Sequence, residues 1–154
     1  MNKGRLIGID HGLVRIGVAI SDASWLVARE LEVIIRTTNK ADFARIHQIA
    51  AEQEAIGYVI GLPYAEHAEP GEFSHADKVK NWAARFGATT PLPMMFWDEQ
   101  LTSVDALEIA KAKKRKTSDP IDDLAARVML QSYLDAVRDQ LAPPLIPPES
   151  KPQE

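Results

Sequence analysis

The chain has 154 residues, 45% apolar and 26% charged, with no cysteine and a formal net charge of −4. This composition fits one globular domain that buries about two-thirds of its unfolded surface, and it excludes a disordered or fibrous chain. The missing cysteine excludes disulfides, cysteine-type zinc sites, iron–sulfur clusters and a thiol nucleophile.

The opening MNKGRLIGID turns polar too soon for a signal peptide. No apolar run nears the roughly 18 residues of a membrane span. The sequence therefore reads as soluble and cytoplasmic, with no membrane contact.

Residues 5–10, RLIGID, form a short apolar strand that ends in an acid, and Gly12 marks a turn. Residues 15–21, RIGVAIS, form a second strand, with Gly17 a candidate close-packing point or bulge. Leu31, Val33, Ile34 and Ile35 mark a third strand over 26–37. Short links between three consecutive strands predict an antiparallel meander.

The period then becomes helical over 40–54, with Phe43, Ile46, Ile49 and Ala50 on one face and Gly57 as the break after it. The unbroken apolar run IGYVI at 56–60 predicts a strand with both faces covered. A loop from Gly61 to Gly71 leads to a second helix over 74–86. Its inward residues are Ala76, Val79, Ala83 and Phe86, with Gly87 as the stop. PMMFW at 93–97 is a fifth strand with proline at its start.

Thr102, with Asp105 three residues on, reads as the cap of a third helix that ends in the basic run KAKKRK at 111–116. Asp119 as N-cap and Pro120 behind it open a last helix to about Leu141. Five of the ten prolines fall in 143–152. Residues 142–154 thus read as a tail rather than packed structure, leaving 1–141 as one domain. The element order predicts an α/β fold: a mixed sheet of a three-strand antiparallel meander plus parallel strands, with helices packed on it.

Three groups of acids stand at element ends. Asp10 closes a strand just before a glycine turn, where sheet edges bind ligands and where turn aspartates also bond their own backbone. Asp98 and Glu99 follow the fifth strand. Alternation sends them to opposite faces, so at most one reaches a shared site unless the strand has already ended. Asp122 and Asp123 fall in the first turn of the last helix. Asp122 shares a face with Ala125 and Ala126, and Asp123 points about 100° away.

Helix dipoles and turn bonding account for each acid singly. Converged, they make an oxygen-ligand site for Mg²⁺ or Mn²⁺. Two such ions about 4 Å apart activate a water and stabilise the leaving oxygen in phosphodiester hydrolysis.

Around the acids stand candidate phosphate contacts. Lys113, Lys114, Arg115 and Lys116 of the basic run suit a nucleic-acid backbone, or equally a helix end compensating its dipole. Arg15 is a second candidate. His11, beside Asp10, is placed to contact a phosphate or a metal-bound water. His47 reads as a surface residue, and Trp25, Trp82 and Trp97 as core rather than base-stacking rings. There is no P-loop, dinucleotide fingerprint or nucleophile elbow.

Four segments are familiar together. GIDHGLVRIGVAISD at 8–22 resembles the opening motif of the YqgF family, Holliday-junction-resolvase-like proteins of the RNase H-like superfamily. VIGLP at 59–63 resembles that family's fourth strand and loop, WDEQLTS at 97–103 its D-E-R-L-[ST] motif, and PIDDLAARVMLQSYLD at 120–135 its final helix. They occur in order over almost the whole chain.

The resemblance implies an RNase H-like fold and a metal-dependent nuclease. Asp10, Glu99 and Asp122 would be its catalytic and metal-binding carboxylates. It also implies a nucleic-acid substrate, chiefly the precursor 5′ end of 16S rRNA in a ribosomal particle. Branched DNA junctions are the alternative, and symmetric junction cleavage would call for a homodimer rather than a monomer. The chain departs from the family with Gln100 in place of arginine, YAEHAEPGEFS at 64–74 after GLP, and Leu13-Val14 where a small polar residue and a lysine are usual. A phosphotransferase, whose relatives close two such domains on ATP, fits poorly. A non-catalytic nucleic-acid-binding module is the remaining competitor.

Overall fold

A computed structural model describes residues 3–63, 73–98 and 122–145, with residues 122 and 123 described by backbone alone. The strands are β1 (Arg5–His11), β2 (Arg15–Ser21), β3 (Ala28–Ile35), β4 (Ala55–Leu62) and β5 (Met94–Asp98). The helices are α1 (Asn39–Glu52), α2 (His75–Gly87) and α3 (Asp122–Arg138). The strands form one sheet in the order β3-β2-β1-β4-β5. β1–β2 and β2–β3 are antiparallel, while β1–β4 and β4–β5 are parallel. The meander and the parallel strands are therefore as the sequence predicts. The helix expected after Thr102, the Asp119 cap and Pro120 lie outside the described residues.

The sheet is buried on both faces, which explains the unbroken apolar runs of its central strands. On one face Ile7, Ile9, Val18 and Ile60 pack with Ile46 of α1 and Val79 and Phe86 of α2. On the other, Leu6, Ala19 and Val59 pack with Ala126, Met129, Leu130 and Tyr133 of α3. Local caps fix the helix starts. Thr38 Oγ1 accepts the Ala41 N–H at 3.1 Å, and Ser74 and Asp77 form a reciprocal capping box on α2.

Several sequence expectations change. Gly57 is no break; it lies inside β4, where a Cβ would collide with the Leu145 side chain. The turn after α1 is made instead by Glu54 in the left-handed region, φ 54°. Gly87 ends α2 without positive φ, and its missing Cβ leaves room for Met94 Cε. α3 stops at Arg138. Gln140 turns left-handed at φ 63°, while Leu141 N–H and Gln140 N–H bond the carbonyls of Ala136 and Val137, a Schellman closure.

Nor does packing end at residue 141. Ala142 and Leu145 rest on the α3-side core, and Tyr133 Oη donates to Pro143 O at 2.8 Å. The slot at Gly57 receives this segment, so residues 142–145 are packed rather than a free tail. His47 is half-buried rather than a surface residue. It stacks on Phe86 at 4.8 Å, and its ring nitrogens lie 3.2 Å from Tyr58 Oη and 2.7 Å from Thr89 Oγ1. Trp25 and Trp82 are core, as expected. No helix among the described residues is long and apolar enough to cross a membrane.

The β2–β3 link is organised by one carboxylate. Asp22 accepts the N–H groups of Leu26 (2.7 Å), Val27 (3.0 Å) and Ser24 (3.3 Å). Desolvation alone would raise its carboxyl, but these donors together outweigh it and hold the group below the usual carboxylate range. A depressed folded-state pKa contributes stability above the unfolded value near 4, and that stability is lost as pH falls through the folded value. Asp22→Ala is expected to lower stability at pH 7 by about 1–2 kcal/mol. Denaturant melts should show its gap to the wild type closing below about pH 4.

Candidate active site

Alternation along β1 decides what Asp10 faces. Leu6 belongs to the α3-side core, and Ile7 and Ile9 to the other. Gly8 and Asp10 thus present to α3, and His11 to α1 and α2. Asp10 is partly buried. Its neighbours on that face are glycines: Gly8 two residues before, and Gly17 directly across on β2. Gly61 lies on β4 one step past the Ile9–Ile60 pair, on the Val59 side. Three adjacent positions thus carry no side chain to crowd the carboxylate.

α3 is laid over this patch in a defined direction. Arg127 pairs with Glu30 at 3.4 Å, while Gln131 bonds Leu26 O (2.9 Å) and Ala28 N (2.8 Å). Rising numbers on α3 therefore meet falling numbers on β3. Two antiparallel steps make β3 parallel to β1, so α3 runs against β1 and starts over the end where β1 reaches Asp10.

The register can be counted. At the Gly8 level the helix is at Arg127 to Leu130, where a Cβ on Gly8 would lie 2.9 Å from Leu130 Cβ. Asp10 lies about 6.6 Å further along the strand. That distance equals four to five helical residues at about 1.5 Å each, which leads back to about residues 122–126, the start of α3.

β5 supplies the third edge. Met95 and Trp97 belong to the α3-side core and Met94 to the other, so Asp98 falls on the face opposite Asp10. Glu99 lies outside the described residues, as do Lys113, Lys114, Arg115 and Lys116. Among the described residues no three of His, Asp and Glu gather as metal ligands. Of the three expected carboxylates, Asp10 alone has a described side chain. Arg15 is exposed at the start of β2, in phase with Gly17 and Ala19 and so on Asp10's side of the sheet.

His11 is not beside Asp10 in space. Only 3% exposed, it packs on Trp82 at 4.8 Å, on the α2 side. This places it away from any water bound at Asp10. Burial, then the charges of Arg36 and His75, lower its pKa to about 4, so the imidazole is neutral at pH 7. His75 Nε2 lies 3.2 Å from the His11 carbonyl oxygen. Sequence reading missed the glycine ring around Asp10. Its signal was present in glycines at positions 8, 17 and 61, but only strand pairing brings them together.

This sheet order, covered by helices on both faces, is that of the RNase H-like fold. Comparison with solved structures agrees. The RuvC of T. thermophilus in complex with a Holliday junction substrate superposes with a TM-score of 0.59 at 17% identity, over 92% of this chain and 99% of that one. Sequence comparison goes further. The family model described as RuvX, Holliday junction resolvase, matches residues 4–136, and the chain belongs to that family.

A protein of Rhodopirellula baltica named "Putative pre-16S rRNA nuclease" is 37% identical over 138 residues, covering 88% of this chain and 79% of that one. One of the same name from Thermoanaerobacter pseudethanolicus is 38% identical over 140 residues, covering 88% and 99%. The chain is accordingly a nuclease, a hydrolase of phosphodiester bonds.

The seat of α3 rests on Gly8. Gly8→Ala puts a methyl against the Leu130 Cβ, which rotamer change cannot move. It is expected to cost about 1–3 kcal/mol in thermal denaturation by lifting α3 from β1.

Proposed function

We propose that this nuclease is divalent-metal-dependent and processes the 5′ end of precursor 16S rRNA, with Asp10, Glu99 and Asp122 as its metal-binding carboxylates. The observation that carries this reading is the position of Asp10: on a glycine-lined patch, under the end of the sheet where α3 starts. Asp98 faces the other way, which favours Glu99 as the acid contributed after β5. A set of carboxylate oxygens without sulfur or imidazole fits the hard ions Mg²⁺ and Mn²⁺. Bound there, such ions would activate a water and offset charge on the phosphoryl oxygens.

The chain's own residues do the rest. Asp10 places negative charge at one fixed point of the sheet edge. Gly17 and Gly61, beside it on β2 and β4, add no side chain between that point and a sugar–phosphate strand. Arg15, exposed on the same side, can hold a neighbouring phosphate. Lys113, Lys114, Arg115 and Lys116 are proposed to extend that contact. The homologous names favour precursor 16S rRNA, within a ribosomal precursor particle, as the substrate. A second reading, cleavage of four-way DNA junctions by a homodimer, is favoured by the RuvC likeness.

The test incubates the protein with Mg²⁺ or Mn²⁺ and either a precursor 16S rRNA 5′ fragment or a DNA junction. Cleavage of the RNA is expected. Asp10→Asn should reduce it by about 10²–10³-fold, the several kcal/mol of charge stabilisation a metal supplies. Paired symmetric nicks in the junction without RNA cleavage would move the assignment to the resolvase. Unchanged cleavage by Asp10→Asn would refute the site.

A further inference from the structure

On the sheet face opposite Asp10 lies a cleft of about 190 Å³, walled by the end of β1, the start of α1 and one stripe of α2. Arg36, Lys78 and Arg85 line it, and no carboxylate does so among the described residues. None of these three cations forms an ion pair with a described acid.

Two buried side chains line the same cleft with unused hydrogen-bonding groups. His11, 3% exposed, has both ring nitrogens without a partner, and Trp82, 4% exposed, has its indole N–H without one. Buried polar groups nearly always find partners, and a lone unmet donor is costly. Indole nitrogen only donates, and neutral imidazole offers one donor. Buried donors and positive charge on the walls of one small space, with no acid among the described residues that line it, call for an anion rich in acceptor oxygens.

We propose that this cleft binds a phosphate group, held by Arg36, Lys78 and Arg85 at its rim and by His11 and Trp82 at its floor. The site is separate from the carboxylates, because Asp10 and His11, though adjacent, face opposite sides of the sheet. Two sources offer the same chemistry: a backbone phosphate of a bound nucleic acid, passing round the sheet edge from the Asp10 side, and a free nucleotide or phosphate ion. The spacing 78, 81, 82 and 85 is a helical stripe that brings Lys78, Asn81, Trp82 and Arg85 to one side of α2.

The test titrates inorganic phosphate, a nucleoside 5′-monophosphate and a short single-stranded oligoribonucleotide by calorimetry. It is run in EDTA, so the outcome does not depend on a metal at the carboxylates or on cleavage. Wild type is compared with K78Q/R85Q, whose changes are on exposed residues, and with R29Q/K80Q, which removes the same charge outside the cleft.

K78Q/R85Q is expected to melt with the wild type yet bind the responding probe about tenfold more weakly. For the oligonucleotide, the slope of log K against log salt should fall by about 0.7, one phosphate's share. Loss of monophosphate or phosphate binding identifies a free-phosphate site, while loss of oligonucleotide binding alone identifies a backbone site. In either case the ring nitrogens of His11 should shift in ¹⁵N spectra on saturation. Equal effects of the two double variants, or no effect of either, would overturn the proposal.

Discussion

Everything at the proposed catalytic edge depends on the contact between α3 and β1 at Gly8. A strand residue with any side chain there would hold the helix off the sheet, because the nearest atom is a backbone-fixed Cβ of Leu130. With glycine, the helix sinks onto the strand and the α3-side core closes around Leu6, Ala126, Leu130 and Tyr133. The same seating sets which turn of α3 comes level with Asp10. Packing and placement of acids are thus one constraint.

A second consequence follows from strand period. Asp10 and His11 are neighbours in the chain, yet alternation sends one toward α3 and the other toward Trp82 of α2. The end of β1 therefore serves both faces of the sheet. One face gathers a carboxylate, glycines and the start of a helix. The other gathers three cations, without an ion pair to any described acid, and two buried donors. A nucleic-acid strand crossing the edge would meet the proposed metal-binding carboxylates on one side and the proposed phosphate cleft on the other.

The strands were legible because their apolar runs are short, continuous and bounded by turn residues, as in IGYVI at 56–60. The helices were legible from period and caps, as with Ser74 and Asp77. The glycines were misread where their reason is packing. Gly57 and Gly87 look like breaks, but they make room for Leu145 and Met94, partners that are distant or follow in the chain. The turn after α1 was taken by Glu54, which propensity does not favour in the left-handed region. His47 was misjudged because a polar residue on a helix reads as exposed until Phe86 is found stacked on it.

By itself the sequence determined the order of the described elements, the mixed sheet, the candidate carboxylates and, through four collinear motifs, the family. These are local or linear properties, carried by period, spacing and residue type. Only the tertiary structure decided which face each side chain serves: that Asp10 meets the start of α3, that Asp98 and His11 do not, and that Arg36, Lys78 and Arg85 share a cleft with two buried donors. The reason is physical. Faces and clefts are set by strand pairing and by how closely helices pack, and those depend on residues far apart in the chain.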